Sequence, residues 1–186
     1  MDKSLEEAKA KLKAECDLAR NALQTFAAGS LDGSARSGVS LRWALFMLRS
    51  NGSKRHLEPV RFDFDTELPL PPMSVLIASL EDACRTPGTP IALAFFGMGG
   101  VIAKRGEFEQ SAFISTVDVL GIATERMRHW TADGPAGDWK DVTNPGTQYA
   151  GYLRHAITAQ MSQTFMHTSP NSVGSIYGAP VDDLEA

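Results

Sequence analysis

The stretch IALAFFGMGGVIA, from Ile91 to Ala103, carries no charged and no strongly polar side chain in an otherwise mixed chain. So much contiguous apolar surface has to be covered by something, which makes this run the strongest constraint on the fold. A dinucleotide-binding turn needs glycine at its first, third and sixth positions, whereas Gly97 and Gly99 are followed by Ile102. Lys104 precedes Arg105 rather than Ser or Thr, which argues against a phosphate loop. As a helix the run would reach roughly 20 Å, short of the ~30 Å of a bilayer core, although Phe95 and Phe96 beside glycines would suit shallow interfacial insertion. Three further readings stay open: a β-hairpin with IALAFF and VIAKRG joined by GMGG, a buried helix-turn, or an exposed patch. In the last case Phe95, Phe96, Met98 and Val101 would form an assembly interface.

Helical periodicity is clearest from Ser4 to Ala28. Leu5, Ala8, Leu12, Cys16, Ala19, Leu23 and Phe26 recur every three or four residues, Ser4 and Glu7 match a capping box, and Gly29 reads as the stop. The segment LRWALFMLR after Ser40 is apolar nearly all round and reads as a buried helix ended by Asn51-Gly52. Val60, Phe62 and Phe64 alternate with Arg61, Asp63 and Asp65, as an edge strand after Pro59 would. A third helix is expected over Met73 to Arg85. A long one is expected over about 108–130, with Phe113, Val117, Leu120 and Met127 on one side, and a last one over about 147–167. The fold class these patterns imply is mainly α, an antiparallel bundle of about five helices with a small β element.

At 186 residues, with 43% hydrophobic and 22% charged side chains, the chain is long enough for one domain with a real core. That domain is expected over residues 1–167, followed by a flexible tail, 168–186, rich in Ser, Pro, Asn and Gly. A net charge of -4 disfavours a globally basic nucleic-acid binder but permits a local basic groove. Cys16 and Cys84 are far apart, match no metal or redox spacing, and read as reduced small hydrophobes. The charge-rich N-terminus lacks the apolar core of a cleavable secretion signal, so a virion or cytoplasmic location is expected.

Few motifs carry chemistry. Asp63 and Asp65 would project from one side of a strand about 7 Å apart, close enough to share a divalent ion, yet alternating charge on a wet strand face yields the same letters. His56, His129, His155 and His167 lack the pairing of a sequence-local metal site, and no nucleophile elbow occurs. Basic residues form three groups: Lys54, Arg55, His56 and Arg61; Lys104 and Arg105; and Arg126, Arg128 and His129. Converging, they would contact several phosphates; scattered, they are ordinary surface charge.

RNAL in the first helix, Val60-Arg61-Phe62, PMSVLIASLEDACR, the later helices and a tail with SIYGAP together resemble, in order, the coat proteins of rod-shaped plant viruses of the tobamovirus kind. The resemblance implies an antiparallel helix bundle whose subunits stack along a helical path with RNA between turns. Arg85 would lie nearest the RNA, and Arg61 would belong to the small sheet.

The leading expectation is therefore a structural, non-enzymatic protein that assembles with itself as a capsid subunit and packages single-stranded RNA. Arg85, Lys104, Arg105, Arg126 and Arg128 would be its nucleic-acid contacts, with no cofactor, no bound metal and no membrane partner. One alternative is a small bacterial or phage binding module of the immunity type. The other is a metal-dependent enzyme using Asp63 and Asp65.

Overall fold

The computed structural model of the chain describes residues 3–38, 43–51, 54–63, 72–84, 88–102 and 108–142. Two helices and six strands make up these residues: α1 (Lys3–Ser37), β1 (Trp43–Asn51), β2 (Lys54–Pro59), α2 (Met73–Cys84), β3 (Thr89–Ile102), β4 (Phe108–Asp118), β5 (Ala123–Thr131) and β6 (Gly134–Asp141). The strands form one antiparallel sheet in the order β2-β1-β3-β4-β5-β6. The five-helix bundle is thereby overturned, since the described chain is mainly β with two helices.

The apolar run forms the middle of the sheet. Residues 89–102 make one uninterrupted strand between β1 and β4, so GMGG is extended backbone and not a hairpin turn. Both sides of the strand are covered, hence Ile91 to Phe96 are all buried. Burial on both faces removes the two-residue alternation by which a strand is normally recognised. Glycine at position 99 has a packing reason: a Cβ there would lie 3.3 Å from the ring of Phe113 and 3.5 Å from that of Trp43. Trp43 in turn stacks on Phe95, with ring centroids 4.8 Å apart.

LRWALFMLR fails as a helix for the same reason. β1 is the other inner strand on this side, with Leu45 and Met47 facing α2 while Phe46 faces α1. The strand expected from Val60 is displaced: β2 ends at Pro59, Val60 donates its N–H to the Leu45 carbonyl at 2.8 Å, and Phe64 and Asp65 lie outside the described residues. The long helix expected over 108–130 is instead the β4–β5 hairpin. Its turn is made by Asp118, whose carboxylate accepts the N–H groups of Leu120 (2.9 Å) and Ile122 (3.0 Å), and by Gly121 at φ 74°. The helix expected over 147–167 and the tail lie outside the described residues.

α1 crosses one face of the sheet. Cys16, Ala19, Leu23, Ala27 and Leu31 are buried against Ala92, Ala94 and Phe96 of β3 and Ala112 and Ile114 of β4. This stripe continues the sequence periodicity beyond Gly29, so the helix ends later than expected, at Ser37, with Gly38 at φ 68° closing it. Phe26 lies at the rim of the stripe and meets Phe46 and Phe96 edge-on. α2 occupies the other side, with Leu76 and Leu80 fully buried. Arg49, itself fully buried, ties it down by donating to the carbonyls of Ala83 and Gly88 and to the Glu58 carboxylate. No helix among the described residues is long and apolar enough to cross a membrane.

Candidate functional site

The contact between α1 and the sheet begins in mid-helix at Cys16 and runs to the C-terminus, and its two ends differ. Near Cys16 the contact is closed: Arg20 bridges Asp17 on its own helix and Asp118 at the end of β4. Asp118 is wholly buried, and loss of water pushes its carboxyl up from 3.8, opposed by the Ile122 N–H, the Arg20 guanidinium and the Leu120 N–H. Burial, followed by the Asp118 charge, pushes the Cys16 thiol up to about 12, which makes it a poor nucleophile. Further along, Gln24 donates to the hydroxyls of Thr124 (2.7 Å) and Thr116 (3.5 Å), whose oxygens are 2.7 Å apart. These polar groups hold the helix on the sheet.

At the opposite end the contact opens. The stripe proceeds through Leu31, Ser34, Ala35 and Gly38, still at helical spacing but with shrinking side chains. A cavity of about 350 Å³ remains between this last stretch of helix and the sheet. Its floor is built from cross-strand neighbours on the α1 side, Met98 of β3, Gln110 of β4 and Trp130 of β5, and Thr131 to Gly134 close its end. Its lining mixes apolar side chains (Leu31, Met98, Trp130) with polar ones (Ser34, Gln110, Thr131, Asp133), it is open to solvent on one side, and its volume falls within the usual range for a small-molecule site. A wider trough of about 590 Å³ runs past Trp43, Pro59, Arg61 and Ser79, but it is shallower and more open to solvent.

The sequence-predicted residues distribute as follows. Arg126 and Arg128 share the α1 side of β5. Arg128 donates to Asp32 of α1 (2.9 Å) and to the Gly137 carbonyl (2.7 Å), and Arg126 lies 3.3 Å from Asp141. Each guanidinium thus already faces a carboxylate. Arg85, Lys104, Arg105 and Asp65 lie outside the described residues, and Asp63 is exposed beside the open trough. Among the described residues no group of three or more His, Cys, Asp or Glu is placed to hold a metal ion.

For Phe95 and Phe96, burial overturns the expected exposed interface. Phe95 and Phe96 point to opposite faces of the sheet, and both are enclosed within the chain, at 2% and 1% exposure. Met98 faces the cavity, while Val101 is part of β3.

Sequence reasoning missed Trp130, Asp133, Ser34 and Ala35. The stripe continuing past Gly29 with diminishing side chains was a signal for the last two. The Asp133-Gly134 dipeptide was a hairpin signal: the chain turns at Ala132 and Asp133, and Gly134 at φ 112° opens β6, so β5 ends just after Trp130. Comparison with family models, with curated proteins and with solved structures gave no match for this chain.

Proposed function

We propose that this protein is a non-catalytic binding module that holds a small molecule between the C-terminal end of α1 and the outer half of its sheet. The cavity of about 350 Å³ over Met98 and Trp130 is the observation that carries this reading. Packing of α1 on the sheet is close from Cys16 to Leu31, and the cleft that opens beyond it is a concave surface within reach of solvent and of a ligand.

RNA packaging receives little support from this architecture. The resemblance to coat proteins implied a helix bundle, and the described chain is a covered sheet. Arg126 and Arg128 have carboxylate partners, so a phosphate would have to compete for them. Both outer strands are also blunted against further strand addition. β2 presents exposed Lys54, Arg55 and His56, whereas β6 carries Pro135, a register shift and Gly137 at φ 68°.

A fragment screen read by ¹H–¹⁵N NMR tests the binding function. Hits should perturb the Trp130 indole N–H and the amides of Ala35 and Gly134, and Ala35→Leu should remove them. Hits that cluster elsewhere, or that survive Ala35→Leu, would remove the cavity from consideration. Light scattering of the same sample should show a discrete small species, and rods or filaments would restore the coat reading.

A further inference from the structure

The geometry points to an organic cation with a flat apolar body as the ligand class of this cavity, an inference that rests on the binding function proposed above. Charge on the described lining of the cavity is one-sided. Asp133 is the one ionised side chain among the described lining residues. The wall opposite is the C-terminal turn of a 35-residue helix, whose last carbonyls lack helical partners and carry partial negative charge. Two of them, on Ser34 and Ala35, accept the Ser37 hydroxyl (3.0 Å) and the Gly38 N–H (3.2 Å), and each retains a second lone pair.

Among the described residues, the neighbouring basic side chains do not offset this polarity. Arg128 is directed to Asp32 and to the Gly137 carbonyl. Arg36, in the last turn, is exposed and is not one of the lining residues; its position on the helix lies away from the 31-34-35-38 stripe. Hydroxyl and amide groups fit the same chemistry. Thr131 already donates to the Gly134 carbonyl at 3.1 Å, so its oxygen is left to accept, and Gln110 and Ser34 can also accept.

The apolar floor supplies the second half of the recognition. The Trp130 ring offers an aromatic surface to a flat apolar body, and the Met98 thioether adapts to such a ring. An ammonium held by Asp133 and the carbonyl-rich helix end would leave its hydrocarbon body over Trp130 and Met98. An anion placed there could take donors from Gln110, Ser34 and the Trp130 indole, but it would meet the like charge of Asp133 and the negative end of the helix.

Three probes with one phenyl body separate charge from shape: phenethylamine, 2-phenylethanol and phenylacetate. Phenethylamine should bind by calorimetry and shift the Trp130 indole signal. The alcohol should bind about tenfold more weakly, and the acid more weakly still. Asp133→Asn, at an exposed turn, should bring the amine down to the affinity of the alcohol while leaving the alcohol unchanged. Ser34→Leu should remove all three, with unchanged circular dichroism showing that the variant is folded. Phenylacetate binding as tightly as the amine, or amine binding unaffected by Asp133→Asn, would overturn the cation assignment and leave a cavity that selects by shape. Failure of all three probes and of the fragment screen to perturb Trp130 would overturn the binding function itself.

Discussion

The two ends of the contact between α1 and the sheet, at Cys16 in mid-helix and at Gly38 just past its C-terminus, lie on the same face of the same sheet, yet one is sealed and the other is open. At the sealed end, Cys16, Ala19 and Leu23 fill the space, and Arg20 spans to a buried Asp118 that also organises the β4–β5 turn. At the open end, side chains of the same stripe shrink to Ser34, Ala35 and Gly38 above Met98 and Trp130. Backbone geometry is alike at both ends, so side-chain volume along one helical stripe decides where the layers close. A charged group also means different things at the two ends. Asp118 is consumed by internal donors, whereas Asp133 sits at a rim where a ligand can reach it.

The comparison breaks most readily at Asp118. Asp118→Ala should lower stability by about 3–5 kcal/mol, because Arg20 stays largely buried with only the outer Asp17 to balance it. Asp133→Ala should leave the denaturation midpoint nearly unchanged. If urea titrations gave equal losses, the contrast between a sealed and an open end would be wrong.

Volume changes should follow with opposite signs. Leu23→Ala removes packing at a fully enclosed position and should cost about 2–5 kcal/mol. Ala35→Leu adds volume where space exists and should be neutral or stabilising by about 1 kcal/mol. A loss as large as that of Leu23→Ala would mean that the cavity cannot accept a side chain.

Titration sharpens the sealed end further. Asp118 has a native pKa raised above 3.8, so the folded state holds this proton more tightly than the unfolded chain. Its contribution makes stability fall as pH rises from about 3.8 through the raised native value, then level off. Asp118→Asn should flatten that part of the profile. Cys16 acts in the same direction at higher pH: with the thiol pushed from 9.0 to about 12, stability should fall again across that interval. In a Cys84→Ser background, Cys16 should resist iodoacetamide at pH 8 in the folded protein and react once unfolded. Rapid labelling of the folded protein would contradict the burial.

The smallest effect belongs to Arg128. Its bond to Asp32 is partly exposed, so Arg128→Gln should cost under about 1 kcal/mol, and less at high salt. The same variant should not change retention on single-stranded RNA. A clear drop in retention would show that phosphate can displace Asp32.

α1 and α2 were legible because each buries one stripe and leaves the rest in water, so the period of 3.6 survives in the letters. β1 and β3 were legible as buried but not as strands, because Leu45 and Phe46, or Phe95 and Phe96, are enclosed on opposite faces and no alternation remains. The β4–β5 hairpin was misread through Phe113, Val117, Leu120 and Met127, whose spacing imitates a helix. Asp118 and Gly121, which turn the chain between two strands, were the competing signal. For the cavity, one wall was implicit in the shrinking stripe of α1. The floor was not, because Met98, Gln110 and Trp130 are separated by many residues and become neighbours only through strand register.

From its letters alone, the chain established two amphipathic helices, an apolar centre that had to be covered, and cysteines without a metal or redox spacing. These are local properties, set by periodicity and side-chain chemistry. Tertiary structure decided that the apolar centre is a strand, that Arg126 and Arg128 are paired with carboxylates, and that Asp133 shares a cavity with Trp130. Each of those outcomes depends on which strands lie side by side, and strand pairing joins residues far apart in sequence through backbone hydrogen bonds that any side chain permits.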